Sequence, residues 1–420
     1  MITNNTLAKP AGTELSVFDY ASSLARRGHL VAAFSAHLGE IASRLREQGV
    51  GVVENLETLP WMPDVIHGHH SWETTIAALR FFDAPVISFC RGPENWPEVP
   101  CLAPNVVRWV AVDEACRDRL LKTPGVQPDR VEMVLNGVDL VRFKLRETPV
   151  TTVKRVLILS NYASEQNYVP AVRAACEHAG AELVVIGSAA GNVHPTPHEI
   201  LESYDVVFAK GKAALEALAT GCAVVVCDTA GLGPLVTTQN LEAMRRLSFG
   251  NPCMTDSIDP ARVMARLSEV DAAEVARVAE VVRETCGLER TIDQLEDLYA
   301  RTVADGGGAR ADAERIARFA ARFLAECTHA WKLGRKTQEF WHDLREPECP
   351  DQLDAVKVDR ILDAFFNSEA KLAKVRARLQ KAQDKIEELC RRHGKPKRGV
   401  AARLREVLAW PRPRRDRGKG

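Results

Sequence analysis

Asp205-Val-Val-Phe-Ala-Lys-Gly-Lys-Ala-Ala-Leu-Glu-Ala-Leu-Ala-Thr-Gly-Cys-Ala-Val-Val-Val-Cys-Asp-Thr-Ala-Gly-Leu-Gly-Pro-Leu-Val236 reads as a βαβ unit followed by a turn. The apolar run 205–208 predicts a buried strand, and Lys210-Gly211-Lys212 a basic turn. The helix that follows carries one carboxylate, Glu216, in its second turn. A second buried strand covers 224–226 and ends in a second glycine turn at Gly231 and Gly233. Ligands of such units gather at the carboxyl ends of the strands, where helix N-termini and glycine loops offer unpaired N–H groups to anions. Lys210, Gly211, Lys212 and Glu216 all fall at that end. Two cations and free amides suit a diphosphate, and a carboxylate one turn inside the helix suits a pair of ribose hydroxyls.

Outward from this unit, apolar runs alternate with helical patterns. Ala11-Gly12-Thr13-Glu14 forms a turn after a first strand and opens a helix with Leu15, Phe18, Ala21, Leu24 and Ala25 on one face. Strands follow at 30–34, 50–53, 64–67, 85–90, 107–112 and 131–135, with helices at 41–48, 74–82 and 113–122 between them. The second half repeats the pattern with a strand at 155–159, a helix at 165–179 and a strand at 182–187 ahead of the opening unit. Helices then run to about residue 304, among them 272–285 and 289–301. This is a doubly wound α/β pattern in two Rossmann-like domains. The expected boundaries are an N-terminal domain over 1–141, a linker over 142–154, and a C-terminal domain over 155–304. A helical extension is expected over 309–368, past a hinge-like break at Asp305-Gly306-Gly307-Gly308. Leu372, Leu379 and Ile386 with Val375, Ala382 and Leu389 repeat at heptad spacing and predict a short coiled coil over 369–393.

The 420 residues carry no formal net charge, yet residues 391–420 hold twelve Lys/Arg against Glu406 and Asp416, a net +10. The other residues balance at −10. Val400, Leu404, Val407, Leu408 and Trp410 share a helical face in this basic tail, 394–420, which resembles an interfacial anchor for anionic membrane through 395–420. Few aromatics interleave the arginines, so nucleic acid is not expected as the partner. Eleven cysteines without a Cys-x-x-Cys pair fit a reducing, cytoplasmic location. No apolar run approaches the ~18 residues that would span a bilayer. His67, His69 and His70 have no carboxylate or cysteine at ligand spacing, so a metal is not expected and one of them is expected to line the cleft. Only Met1-Ile2-Thr3-Asn4-Asn5 stands where a buried first strand belongs, which reads as a shortened or misassigned N-terminus.

Three motifs then carry a resemblance. Glu216-Ala217-Leu218-Ala219-Thr220-Gly221 with the valine strand and Gly231-Leu232-Gly233 is the first. Val134-Leu135-Asn136-Gly137-Val138-Asp139-Leu140-Val141-Arg142-Phe143 and Asp64-Val65-Ile66-His67-Gly68-His69 are the others. In this order and spacing they resemble the GT-B glycosyltransferases, most of all the retaining, nucleotide-sugar-dependent family 4, over roughly residues 1–300. The resemblance implies a sugar transferred from a nucleotide diphosphate donor to a glycan or lipid-linked acceptor. It implies a donor site of Gly12, Lys210, Gly211, Lys212, Glu216, Gly231 and Gly233, with Lys210 and Arg91 nearest the chemistry and no cofactor or metal. His69, Arg91, Glu94 and Trp96 are expected on the acceptor side.

The chain departs from family 4 at three places. Eight positions before Glu216, where the family carries a first glutamate, stands Phe208 in an apolar run, and the shortened turn is similar to that of the inverting peptidoglycan N-acetylglucosamine transferases. Ser160-Asn161-Tyr162-Ala163, after the first strand of the second domain, lacks the Arg and Lys that usually meet the donor phosphates. Arg91-Gly92 replaces the His-Gly or His-Asp pair that follows the fifth strand. A second reading is therefore a GT-B chain that binds a nucleotide sugar or glycan without turning it over; a third is a GT-B sugar-nucleotide epimerase.

Overall fold

The structure is a computed structural model that describes residues 1–93, 96–194, 196–306 and 314–325. The chain divides into two compact units, Met1–Pro93 with Pro97–Ile316, and Glu94–Trp96 with Ala317–Gly420. Residues 317–325 of the second unit are helical. The coiled coil expected over 369–393, the basic tail and most of the helical extension lie outside the described residues.

Among the described residues the first unit holds two sheets. One has seven strands in the order β3-β2-β1-β4-β5-β6-β7, all paired parallel. Its strands are β1 (Ile2–Thr3), β2 (Ala32–Phe34), β3 (Gly51–Val53), β4 (Ile66–His69), β5 (Val86–Cys90), β6 (Val106–Ala111) and β7 (Val131–Met133). The crossovers include α1 (Gly12–Arg26), α2 (Glu40–Glu47), α3 (Ser71–Arg80) and α4 (Glu114–Lys122). The two residues of β1 suffice because both sides are paired, Ile2 with Ala33 and with His67.

The other sheet runs β12-β11-β10-β8-β9, from β8 (Arg155–Leu159), β9 (Glu182–Ile186), β10 (Val206–Ala209), β11 (Ala223–Asp228) and β12 (Gly231–Leu235). Its helices include α5 (Val169–Ala179), α6 (Gly211–Thr220), α7 (Leu241–Arg246), α8 (Pro260–Ser268) and α9 (Ala272–Thr285). The βαβ unit read from 205–236 is β10-α6-β11, in parallel register from Val206 on Ala223 to Ala209 on Val226. Apolar residues fill both strands because both faces are covered: Val207, Val224 and Val226 pack with α6, and Phe208, Val225 and Cys227 with α5 and α8.

The second glycine turn is a strand instead. Gly231 and Gly233 lie buried in β12, antiparallel to β11. A Cβ on Gly231 would stand 2.7 Å from the Asp256 carbonyl oxygen, and one on Gly233 equally close to that of Cys253. Both glycines are thus accounted for by close backbone packing, and neither offers an open face to a donor.

The range expected for the C-terminal domain ends on α10 (Leu288–Gly306), which packs elsewhere. Leu288, Ile292, Leu295 and Leu298 belong to the core of the first sheet, with Val17, Tyr20 and Ile87. The chain crosses between the halves twice, side by side: Val138 N–H donates to Cys286 and Leu288 N–H back to Val138. A Cβ on Gly137 would meet Thr291 Oγ1 at 2.5 Å, so this close crossing requires glycine there. The break expected at 305–308 is not one at its start, since α10 continues through Asp305.

Candidate functional site

α6 begins at the carboxyl edge of the second sheet. Its N-cap is Lys210, and no side chain among the described residues caps it. Gly211, at φ +62°, donates its N–H to Phe249 at 3.2 Å. Ser248 and Phe249 take positive φ without being glycine, and the burial of Phe249 in the core holds them there. The next N–H groups of α6, on Lys212 and Ala213, keep the partial positive charge of a helix start.

Glu216, one turn further on, is 8% exposed. Its backbone carbonyl accepts the Thr220 hydroxyl at 2.9 Å, but among the described residues its carboxylate has no hydrogen-bond or ion-pair partner. Burial pushes its pKa up to about 7; Lys212 and Arg142 pull it back, while Asp19 and Asp139 add to the rise. The carboxylate is largely desolvated yet keeps some contact with solvent, so it can accept hydrogen bonds from ligand hydroxyls that displace that water.

Both expected phosphate lysines are engaged. Lys212 pairs with Asp19 of α1, whose other oxygen takes Arg142 at 2.6 Å. Burial alone would raise the Asp19 carboxyl, but Lys212 and Arg142 outweigh it and hold the group below the usual carboxylate range. Lys210 Nζ lies 2.5 Å from Asp228 Oδ2 at the end of β11 and 5.0 Å from the centre of the Tyr162 ring. Ser160 donates to the other Asp228 oxygen at 3.1 Å.

On the first sheet, the Arg91 guanidinium donates from Nη2 to Ser16 Oγ at 2.8 Å and to Asn136 Oδ1 at 2.9 Å. Ser16 in turn donates to the Gly12 carbonyl at 2.9 Å, so these two expected site residues are joined through a serine. Gly12 itself is exposed at the start of α1, and Arg91 Nη1 is buried without a partner.

His69 is corrected by the structure. Expected along the acceptor side, its imidazole is fully buried, with Nε2 2.8 Å from His67 Nε2. His67 stacks on Phe89 at 3.7 Å, and its Nδ1 lies 2.5 Å from the Tyr299 hydroxyl on α10. Burial holds both imidazoles neutral, their pKa values well below the ordinary histidine value; the next cause is the positive charge of Arg91 at His67, and His67 followed by Arg91 at His69. His70 points elsewhere, accepting from the Asn5 N–H at 3.2 Å and facing Glu98 at 3.3 Å. Glu94 and the Trp96 side chain lie outside the described residues.

The sequence reading thus finds Lys210, Gly211, Lys212 and Glu216 at the N-cap and in the first two turns of α6, and Gly12 and Arg91 on one hydrogen-bonded chain. It misses Asp19, Arg142, Asp228, Ser16 and Asn136. Asp139, Arg142 and Asn136 stand inside the 134–143 motif, so that motif was the available signal. Asp19 carried none beyond a carboxylate on the packed face of α1.

With one sheet parallel throughout and a second parallel but for β12, a C-terminal helix returning to the first and a helix start bearing Glu216 at the edge of the second, the class is defined: the fold is GT-B. Residues 54–142 match the model of Glycosyltransferase Family 4. The fold is similar to that of a glycosyltransferase from Rickettsia africae ESF-5, with TM-score 0.53 and 11% identity over 72% of this chain and 98% of that one. It is also similar to Anabaena HepE in complex with UDP and glucose, with TM-score 0.52 and 12% identity over 71% of this chain and 98% of that one. No curated protein matches the sequence.

Proposed function

We propose that this protein transfers a sugar from a nucleoside diphosphate donor to a hydroxyl of a glycan or lipid-linked acceptor. The observation that carries the reading is Glu216, a nine-tenths buried carboxylate with no partner, beside an uncapped helix start and two cations. In this scheme Glu216 accepts hydrogen bonds from the ribose hydroxyls. The α6 N-terminus with Lys212 and Lys210 takes the diphosphate, and Arg91 with Gly12 faces the acceptor. The bond from the anomeric carbon to the diphosphate oxygen breaks and one to the acceptor oxygen forms, while the proton of the acceptor hydroxyl passes to the departing diphosphate. The cations and amides act on the charge that grows on the departing phosphate, where electrostatic stabilisation has most effect. Because the HepE structure carries UDP and glucose, UDP-glucose is the first donor to try, within a panel of bases and sugars. Release of nucleoside diphosphate that depends on an added acceptor supports the proposal, and no release or binding with any donor rejects it.

A second reading, a GT-B chain that binds without turnover, is favoured by the pairing of Lys212 with Asp19 and of Lys210 with Asp228. Donor binding without even slow donor hydrolysis selects it.

A further inference from the structure

We infer that Asp19 is an internal anion occupying the place of the donor diphosphate, so that donor binding exchanges the Asp19 carboxylate for phosphate oxygens on Lys212 and Arg142. The inference rests on the nucleotide reading of the α6 site and adds a residue that sets its affinity. Asp19 is 3% exposed, and each of its oxygens holds one cation, Arg142 at 2.6 Å and Lys212 closer still. These are the two cations whose charge acts on the Glu216 carboxylate. A diphosphate arriving at the start of α6 therefore meets cations already neutralised, beside a buried like charge. In a poorly solvated site that repulsion is strong, and an approach that leaves Asp19 in place is disfavoured against one that displaces it.

The three partners sit on different parts of the fold. Asp19 belongs to α1 on the first sheet, Lys212 to α6 on the second, and Arg142 follows the first crossing between them. Exchange consequently unfastens α1 from α6 as the donor enters. A pair serving only as a clamp would have the opposite signature, since removing Asp19 would then loosen the donor site and weaken binding.

The experiment is calorimetry with uridine, UDP, GDP, ADP and inorganic pyrophosphate on the wild type, Asp19→Asn and Asp19→Asn/Lys212→Gln. At pH 9, where Glu216 is ionised with or without Asp19, the expected result is pyrophosphate and nucleoside diphosphate affinity at least tenfold tighter in Asp19→Asn, unchanged uridine affinity, and loss of the gain in the double variant. Unchanged or weaker pyrophosphate binding in Asp19→Asn overturns the inference, even if the wild type binds UDP and the nucleotide reading stands. If Asp19→Asn binds pyrophosphate more tightly while no nucleoside or nucleotide binds either protein, the anion exchange stands and the nucleotide reading falls. Should Asp19→Asn fail to fold, hydrogen exchange on the wild type decides: any nucleoside diphosphate that binds should speed amide exchange in residues 17–23, and its nucleoside should not. Unchanged or slower exchange with the bound diphosphate overturns the inference.

Discussion

At Glu216 the same burial that marks a ligand site also sets a pH signature. Its folded pKa of about 7 lies above the ordinary 4.5, so between those values the folded chain keeps a proton that the unfolded chain has released. Stability therefore falls as pH rises through that window, by roughly 3 kcal/mol for a shift of this size. Glu216→Gln cannot ionise and escapes the loss. Its melting temperature should exceed that of the wild type at pH 8 and match it near pH 4; a lower value at pH 8 contradicts the burial argument. Binding runs the other way, because only the ionised carboxylate accepts two hydroxyl protons. Nucleoside affinity should strengthen from pH 6 to pH 8 in the wild type and stay flat in Glu216→Gln, as read by calorimetry at each pH. Lys210→Ala should weaken nucleoside diphosphate binding far more than nucleoside binding, and equal losses for both would remove Lys210 from the phosphate site.

Among the elements, α10 decides how the two halves hold together. It meets the first sheet through the buried Leu288, Ile292, Leu295 and Leu298, through the Tyr299 hydroxyl on His67, and through Arg27 fanned across Glu289, Asp293 and Glu296. Partly exposed ion pairs contribute ~0–1 kcal/mol each, whereas truncating a buried leucine costs ~2–5 kcal/mol. Leu295→Ala should accordingly destabilise much more than Arg27→Ala in urea unfolding, and 1 M salt should change little; the reverse order would make the fan the main fastening. Tyr299→Phe leaves His67 Nδ1 unpaired in the core and should cost ~1–3 kcal/mol. The same elements show what could be read from sequence. The βαβ unit was legible because period and apolar runs are local, and Lys210, Lys212 and Glu216 followed from it. Which sheet α10 joins was not, since its amphipathic face fits either core and the choice depends on the long-range crossing at Gly137. Gly231 and Gly233 read as a turn because a glycine demanded by a neighbouring backbone looks the same in sequence as one demanded by a bend. Asp19 and Asp228 were hidden because a buried ion pair is defined by its distant partner.

Over the whole molecule, the charge balance of zero conceals a separation, with +10 on residues 391–420 and −10 on the rest. No helix of the described residues is long and apolar enough to cross a membrane. We propose that the basic segment brings the chain to an anionic surface, where each engaged Lys or Arg contributes ~1 kcal/mol. The full chain should then sediment with phosphatidylserine vesicles at low salt and not with phosphatidylcholine vesicles, and a chain ending at residue 394 should do neither; equal binding by both chains refutes it. That placement matters only if the α6 site holds a donor. The most direct test is calorimetry of nucleosides, nucleoside diphosphates and nucleotide sugars against the wild type and Glu216→Ala. Charged hydrogen bonds contribute ~1.5–3 kcal/mol each, so the expected result is binding of one base series by the wild type and an affinity loss of about one to three orders of magnitude in the variant. Equal affinity in a folded Glu216→Ala, or no binding to the wild type in any base, would contradict it.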